Sequence, residues 1–148
     1  MDAIDQEILE RQIFIAARPE TVFSYFTDPL KLTRWKGLRA ELDPRPGGIY
    51  RVDINGKDIV RGEYVEVLPY SRIVFTWGWE GENSPLPPGS STVEISLNPE
   101  GEGTRVVLRH LGLPPHLKAV HAEGWDHFLP RLTLAAEGRE DVTDSWSM

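Results

Sequence analysis

The chain contains no cysteine, which excludes disulfides, thiolate nucleophiles and cysteine-based zinc sites and leaves the redox character of its compartment unreadable. Long apolar runs are missing as well. No stretch approaches the ~20 residues that span a bilayer, and the opening Met1-Asp2-Ala3-Ile4-Asp5-Gln6 is acidic with no apolar segment behind it, unlike a secretory signal. A cytoplasmic protein without membrane insertion is the expectation. Positive charge is scarce: 16 Lys and Arg face 23 Asp and Glu, a formal net charge of -7. A phosphate backbone would be repelled, and nucleic acid is not expected as a partner.

What is present has ordinary globular proportions, 40% hydrophobic and 26% charged residues, and 148 residues with no repeat or linker make one domain spanning 1–148. A first strand is expected from about Glu7 to Ala16. Pro19 suits the first turn of a helix, and Val22, Phe23 and Phe26 then share one face, giving a short helix to about Thr27. Asp28-Pro29 caps a second short helix carrying Leu32 and Trp35. Turn residues and period-two alternation follow. Pro44, Pro46, Gly47 and Gly48 make one turn and Asn55-Gly56 a hairpin between strands at about 48–54 and 57–67. Ile73, Phe75, Trp77 and Trp79 alternate along a strand, as do Val93, Ile95 and Leu97, and then Thr104, Val106, Leu108 and His110. His121, Trp125, Phe128, Leu129, Leu132 and Ala136 form the stripe of one long helix ending near Gly138, with a polar tail at 139–148 that includes Trp146.

That order of motifs resembles a known family. Its marks here are Arg18-Pro19-Glu20-Thr21-Val22-Phe23, Asp28 followed by Trp35, and Asp43-Pro44-Arg45-Pro46-Gly47-Gly48. Further along come Gly62-Glu63-Tyr64-Val65-Glu66-Val67 with Pro69, Arg72-Ile73-Val74-Phe75-Thr76-Trp77, Gly103-Thr104-Arg105, and His121 to Trp125 with Leu129 and Leu132. Together, from about residue 8 to 138, they resemble the SRPBCC superfamily, in the branch similar to the C-terminal domain of the activator of heat-shock-protein-90 ATPase. The resemblance implies an α+β helix-grip (START-like) fold: a curved antiparallel sheet wrapped around a long C-terminal helix, with two short helices after the first strand. It also implies a cavity between sheet and helix, shared with lipid-transfer domains and polyketide cyclases. Pro130 departs from the pattern and predicts a kink or break in the long helix.

The residues expected to touch a guest are Trp35, Tyr50, Phe75, Trp77, Trp79, His110, His121, Trp125 and Phe128. Each aromatic can equally fill the core, and each histidine can be a hydrogen-bonded structural group, a ligand to a guest's oxygen, or an acid or base. His116, His121 and His127 lack the i, i+4 spacing of two metal ligands on a helix, so no metal is expected, and no cofactor. Lys31, Arg34, Lys36 and Arg39 read as a basic patch, most simply a solvated one. Gly47-Gly48 lacks the lysine and helix of a phosphate loop, and no nucleophile-elbow sequence occurs.

Binding of a small hydrophobic molecule or lipid is therefore the leading expectation. A chaperone-associated or other protein-binding module and a cyclase- or hydrolase-like enzyme are the alternatives that the resemblance leaves open. Either a monomer or a homodimer is compatible with the sequence.

Overall fold

A computed structural model of the chain describes residues 8–139; Trp146 and the rest of the tail lie outside them. The elements follow the order β1 (Leu9–Ile15), α1 (Pro19–Thr27), α2 (Pro29–Leu32), β2 (Arg39–Leu42), β3 (Ile49–Asp53), β4 (Ile59–Leu68), β5 (Arg72–Trp77), β6 (Ser91–Glu100), β7 (Gly103–Leu111) and α3 (Pro115–Ala136). The seven strands form one antiparallel sheet in the order β1-β7-β6-β5-β4-β3-β2. The architecture is α+β and helix-grip-like, with short helices after the first strand and a long helix at the C-terminal end.

The topology explains the two short helices. β1 pairs with β7, Leu9 opposite His110 and Ile15 opposite Thr104, so β1 and β2 occupy opposite edges and the chain must cross from one to the other. α1 and α2 make that crossing. Asp28 ends α1 and caps α2, its carboxylate accepting from the Leu30 N–H at 2.9 Å, which satisfies a donor that a helix start leaves free. Tyrosines fasten the crossing to the rest. The Tyr64 hydroxyl donates to the Phe26 carbonyl (2.9 Å) and the Tyr25 hydroxyl to the Ala135 carbonyl on α3 (3.1 Å).

Alternation along the strands sets the inner face. Ile73, Phe75 and Trp77 on β5, Val93, Ile95 and Leu97 on β6, and Thr104, Val106, Leu108 and His110 on β7 are all buried. α3 closes that face with Trp125, Phe128, Leu129 and Leu132. Outside the sheet, arginines and glutamates cross-link neighbouring strands, as in Arg72–Glu66 and Arg105–Glu100. No helix of the described residues is long and apolar enough to cross a membrane.

Of the kink or break expected at Pro130, the break does not occur. The helix continues from Pro115 through Pro130 to Ala136 without a break. Pro130 lies on its exposed side, where the ring meets no neighbouring layer. The proline still withholds an N–H from the Asp126 carbonyl. Pro130→Ala is accordingly expected to raise the unfolding free energy, by at most the ~3 kcal/mol that separates the two residues in a helix interior. A denaturant midpoint that stays put or falls would show that the helix has no such cost to recover.

Candidate functional site

The centre of the site is set where α2 ends. The Leu32 carbonyl accepts from the backbone N–H groups of both Trp35 (3.1 Å) and Lys36 (3.0 Å), which coils the chain once more. Gly37, at φ +90°, then swings it into β2, and a Cβ there would lie 2.7 Å from the Asp53 carbonyl oxygen. Only glycine makes that turn without a clash. The two preceding side chains are driven inward: Trp35 is 1% exposed and Lys36 2%. The reading of Lys36 as part of a solvated basic patch is thus corrected, whereas Arg34 and Arg39 are exposed.

Lys36 ends in an aromatic box. Its Nζ lies 3.8 Å from the ring centroid of Trp77, 4.4 Å from Trp125, 5.9 Å from Trp35 and 6.0 Å from Tyr50. It has no hydrogen-bond partner among the described residues, and neither does the indole N–H of Trp77. Two effects compete over its charge. Ring faces return on the order of 2 kcal/mol to a desolvated cation, but an ammonium with no counter-charge loses several kcal/mol of solvation and leaves its donors unpaired. Burial wins and pushes the pKa of Lys36 well below its ordinary 10.5.

Two histidines flank the box, each locked by a tryptophan. An indole N–H can only donate, so the Trp125 Nε1–H to His110 Nδ1 contact (3.1 Å) makes Nδ1 the acceptor and leaves His110 Nε2–H to donate to Ser91 Oγ (2.9 Å). The Ser91 hydroxyl passes its own proton to the Trp77 carbonyl at 2.8 Å. Likewise Trp79 Nε1–H donates to His121 Nε2 (3.0 Å), and His121 Nδ1–H donates to the Leu117 carbonyl (2.9 Å). Every ring nitrogen is in use. Burial lowers the pKa of both imidazoles, of His110 strongly. Both are neutral at physiological pH, and proton transfer by either would first require breaking an indole hydrogen bond.

The remaining aromatics complete the cluster. Tyr50 stacks on Phe75 with ring centroids 4.0 Å apart, and Trp77 meets Trp79 at 5.7 Å and Trp125 at 5.2 Å. Trp35 stands at the rim of the cluster, where its indole donates to the Tyr25 carbonyl at 2.9 Å and its ring meets the edge of Phe26. Phe128 joins Lys36, Trp77, His121, Gly124 and Trp125 around an internal space of about 10 Å³, roughly the volume of one water probe. The rings otherwise fill the interior. Outside them, a groove of about 330 Å³ runs between the start of α3, the β3–β4 connection and the β5–β6 loop, with Trp79, Leu86, Leu117, Val120 and His121 in its walls. His121 lines both spaces. Trp79, hydrogen-bonded to His121, lines the groove but not the small space.

All nine residues expected at the site therefore lie in or beside one aromatic cluster. Lys36, Gly124 and Ser91 were not foreseen. Lys36 sits among other basic residues and Gly124 interrupts a helical stripe, so neither departs from a bland pattern; the one available signal was Lys36 wedged between a buried tryptophan and a glycine. Among the described residues no group of three or more His, Asp or Glu is placed to hold a metal ion.

A curved sheet gripping one long helix, with an aromatic interior and a groove at its mouth, defines a helix-grip domain. Residues 16–137 match the family model described as Activator of Hsp90 ATPase homolog 1-like protein, and the chain belongs to that family. An AHSA1-like protein from Rhizobium etli is 43% identical over 95% of this chain and 88% of its own, with a TM-score of 0.73. CalU16 from Micromonospora echinospora is 26% identical, covering 90% of this chain and 75% of its own at a TM-score of 0.69. The Aha1 dimer from Colwellia psychrerythraea shares the fold, at 20% identity, 90% and 98% coverage and a TM-score of 0.77. No curated protein matches the chain.

Proposed function

We propose that this protein binds a small, largely apolar molecule bearing a hydrogen-bond acceptor, with the guest's body in the groove and its polar end turned inward past Trp79. The observation that carries this reading is the pair of buried donors without partners, Lys36 Nζ and Trp77 Nε1, on two residues that line a space sharing His121 with the groove. Unpaired buried polar groups are uncommon and call for an explanation, and an acceptor on a guest would supply one. At about 330 Å³ the groove suits a compact guest, at the lower end of the usual range for ligand sites. Entry would exchange one indole–imidazole hydrogen bond for contacts with the guest.

The test uses a fluorescent naphthalene sulfonate probe and displacement by medium-chain alcohols. Saturable, one-to-one binding is expected. Val120→Arg, which adds a charge to a groove wall at a residue already 42% exposed, should weaken it by about tenfold or more, the equivalent of ~1.4 kcal/mol, without altering the fold. If binding fails to saturate, or if the variant and the wild type bind alike, the groove is not the site.

A further inference from the structure

We infer that Lys36 is a carbonyl-capturing amine, forming a covalent imine with an aldehyde or ketone that reaches it through the groove. This rests on the binding reading above and extends it from an acceptor in general to a reactive carbonyl. Three features of the geometry converge. The amine is buried, lies against four aromatic rings and has no acceptor among the described residues, so its lone pair is committed to no hydrogen-bond donor or carboxylate partner. The titratable groups beside it are Tyr50 on β3, His110 on β7 and His121 on α3, none an anion at neutral pH. Of the carboxylates on the same elements, Asp53 pairs with Arg39 and Asp126 with Arg11, and Asp58, Glu80 and Glu82 line the groove. The third feature is Trp77, a residue that lines the same space and whose buried N–H, without a partner among the described residues, is a donor for a carbonyl oxygen.

A desolvated lysine in an apolar site is the form of the side chain that attacks carbonyls. The lone pair of Nζ forms the N–C bond as the C=O π pair moves onto oxygen, which accepts a hydrogen bond from Trp77 Nε1–H. A proton moves from nitrogen to that oxygen through water, giving a carbinolamine. A water protonates the hydroxyl, which departs as water as the nitrogen lone pair closes C=N, and the hydroxide left behind takes the remaining proton from nitrogen. The balance is one carbonyl compound plus one amine to one imine plus one water, and no oxidant or reductant enters. Small aldehydes fit the space best, because the reacting carbon must enter a volume of about 10 Å³ while its chain stays in the groove.

The experiment treats the wild-type protein at neutral pH with equimolar hexanal and sodium cyanoborohydride, which reduces an imine to a stable secondary amine, and locates the adduct by peptide mapping. Lys36 is expected to carry at least about ten times the label of Lys31, Lys57 or Lys118, because desolvation favours its uncharged, nucleophilic form. Val120→Arg should reduce the Lys36 adduct. Lys36→Met should lose it, with the labelling of Lys31, Lys57 and Lys118 unchanged. If hexanol binds saturably but label spreads over the other lysines and spares Lys36, the imine is overturned and the binding reading stands; if hexanol does not bind and Lys36 is unlabelled, both fall. Tight binding of hexanoate without any trapping of hexanal would likewise overturn the imine in favour of an ion pair.

Discussion

Lys36→Met is expected to be more stable than the wild type by about 1–3 kcal/mol, the cost of a buried polar group left without a partner. Methionine matches the unbranched stem and adapts its shape to the rings around it. The gain should depend on pH. Burial holds the native pKa of Lys36 well below 10.5, so between those two values the unfolded chain binds more protons than the folded one. Wild-type stability therefore rises with pH across that window. The methionine variant has no such slope, so its advantage is largest at the acid end of the window and shrinks as the pH approaches 10.5. Tyr50 and Tyr64, whose pKa values burial raises, titrate in both proteins and cancel in the difference. Urea unfolding of the pair at pH 7 and pH 10 measures it. A variant less stable than the wild type at pH 7 would mean that the ammonium is charged and held by the rings.

Trp125→Ala should cost about 3–5 kcal/mol, as removal of a fully packed aromatic does. The side chain is 3% exposed, its ring centroid lies 5.2 Å from that of Trp77, and its N–H holds His110 Nδ1. Its loss opens a cavity beside Lys36 and strips the donor from a buried imidazole. Trp125→Phe should lose less, keeping most of the packing and forfeiting chiefly a hydrogen bond worth about 0.5–1.5 kcal/mol. Denaturant midpoints for the two variants separate the contributions. A loss below about 1 kcal/mol for the alanine variant would place Trp125 outside the packed core.

These residues also show how far the sequence could be read. Period-two alternation exposed the inner face of β5 and β7, because burial on one face of a pleated strand writes itself directly into the pattern. Pro19 and Asp28-Pro29 marked α1 and α2 through their first-turn chemistry. β2 was less legible: Arg39, Ala40, Glu41 and Leu42 make an edge strand with exposed and half-buried positions only, so no large apolar residues alternate there. The nine candidate side chains were found by their faces, yet their bonding was not. Whether a histidine accepts from an indole depends on residues such as Trp79 and His121, 42 positions apart, and no local spacing encodes that. Lys36 escaped for a related reason. Its burial is decided by the turn at Gly37 and the backbone of Asp53, which a reading of charge runs does not see.

The pairing of β1 with β7 bears on how the molecule is made. Leu9 finds its partner at His110, so the first strand leaves the ribosome about a hundred residues before its neighbour exists, and loop closure of that length must precede the contacts that reward it. Meanwhile the nascent sheet grows from β2 toward β7 by short connections, with its row of tryptophans uncovered until α3 emerges. Such an intermediate exposes both an apolar face and an unpaired strand edge, the features that make partly folded chains associate. Translation order thus leaves this protein most vulnerable to aggregation just before its last helix is synthesised.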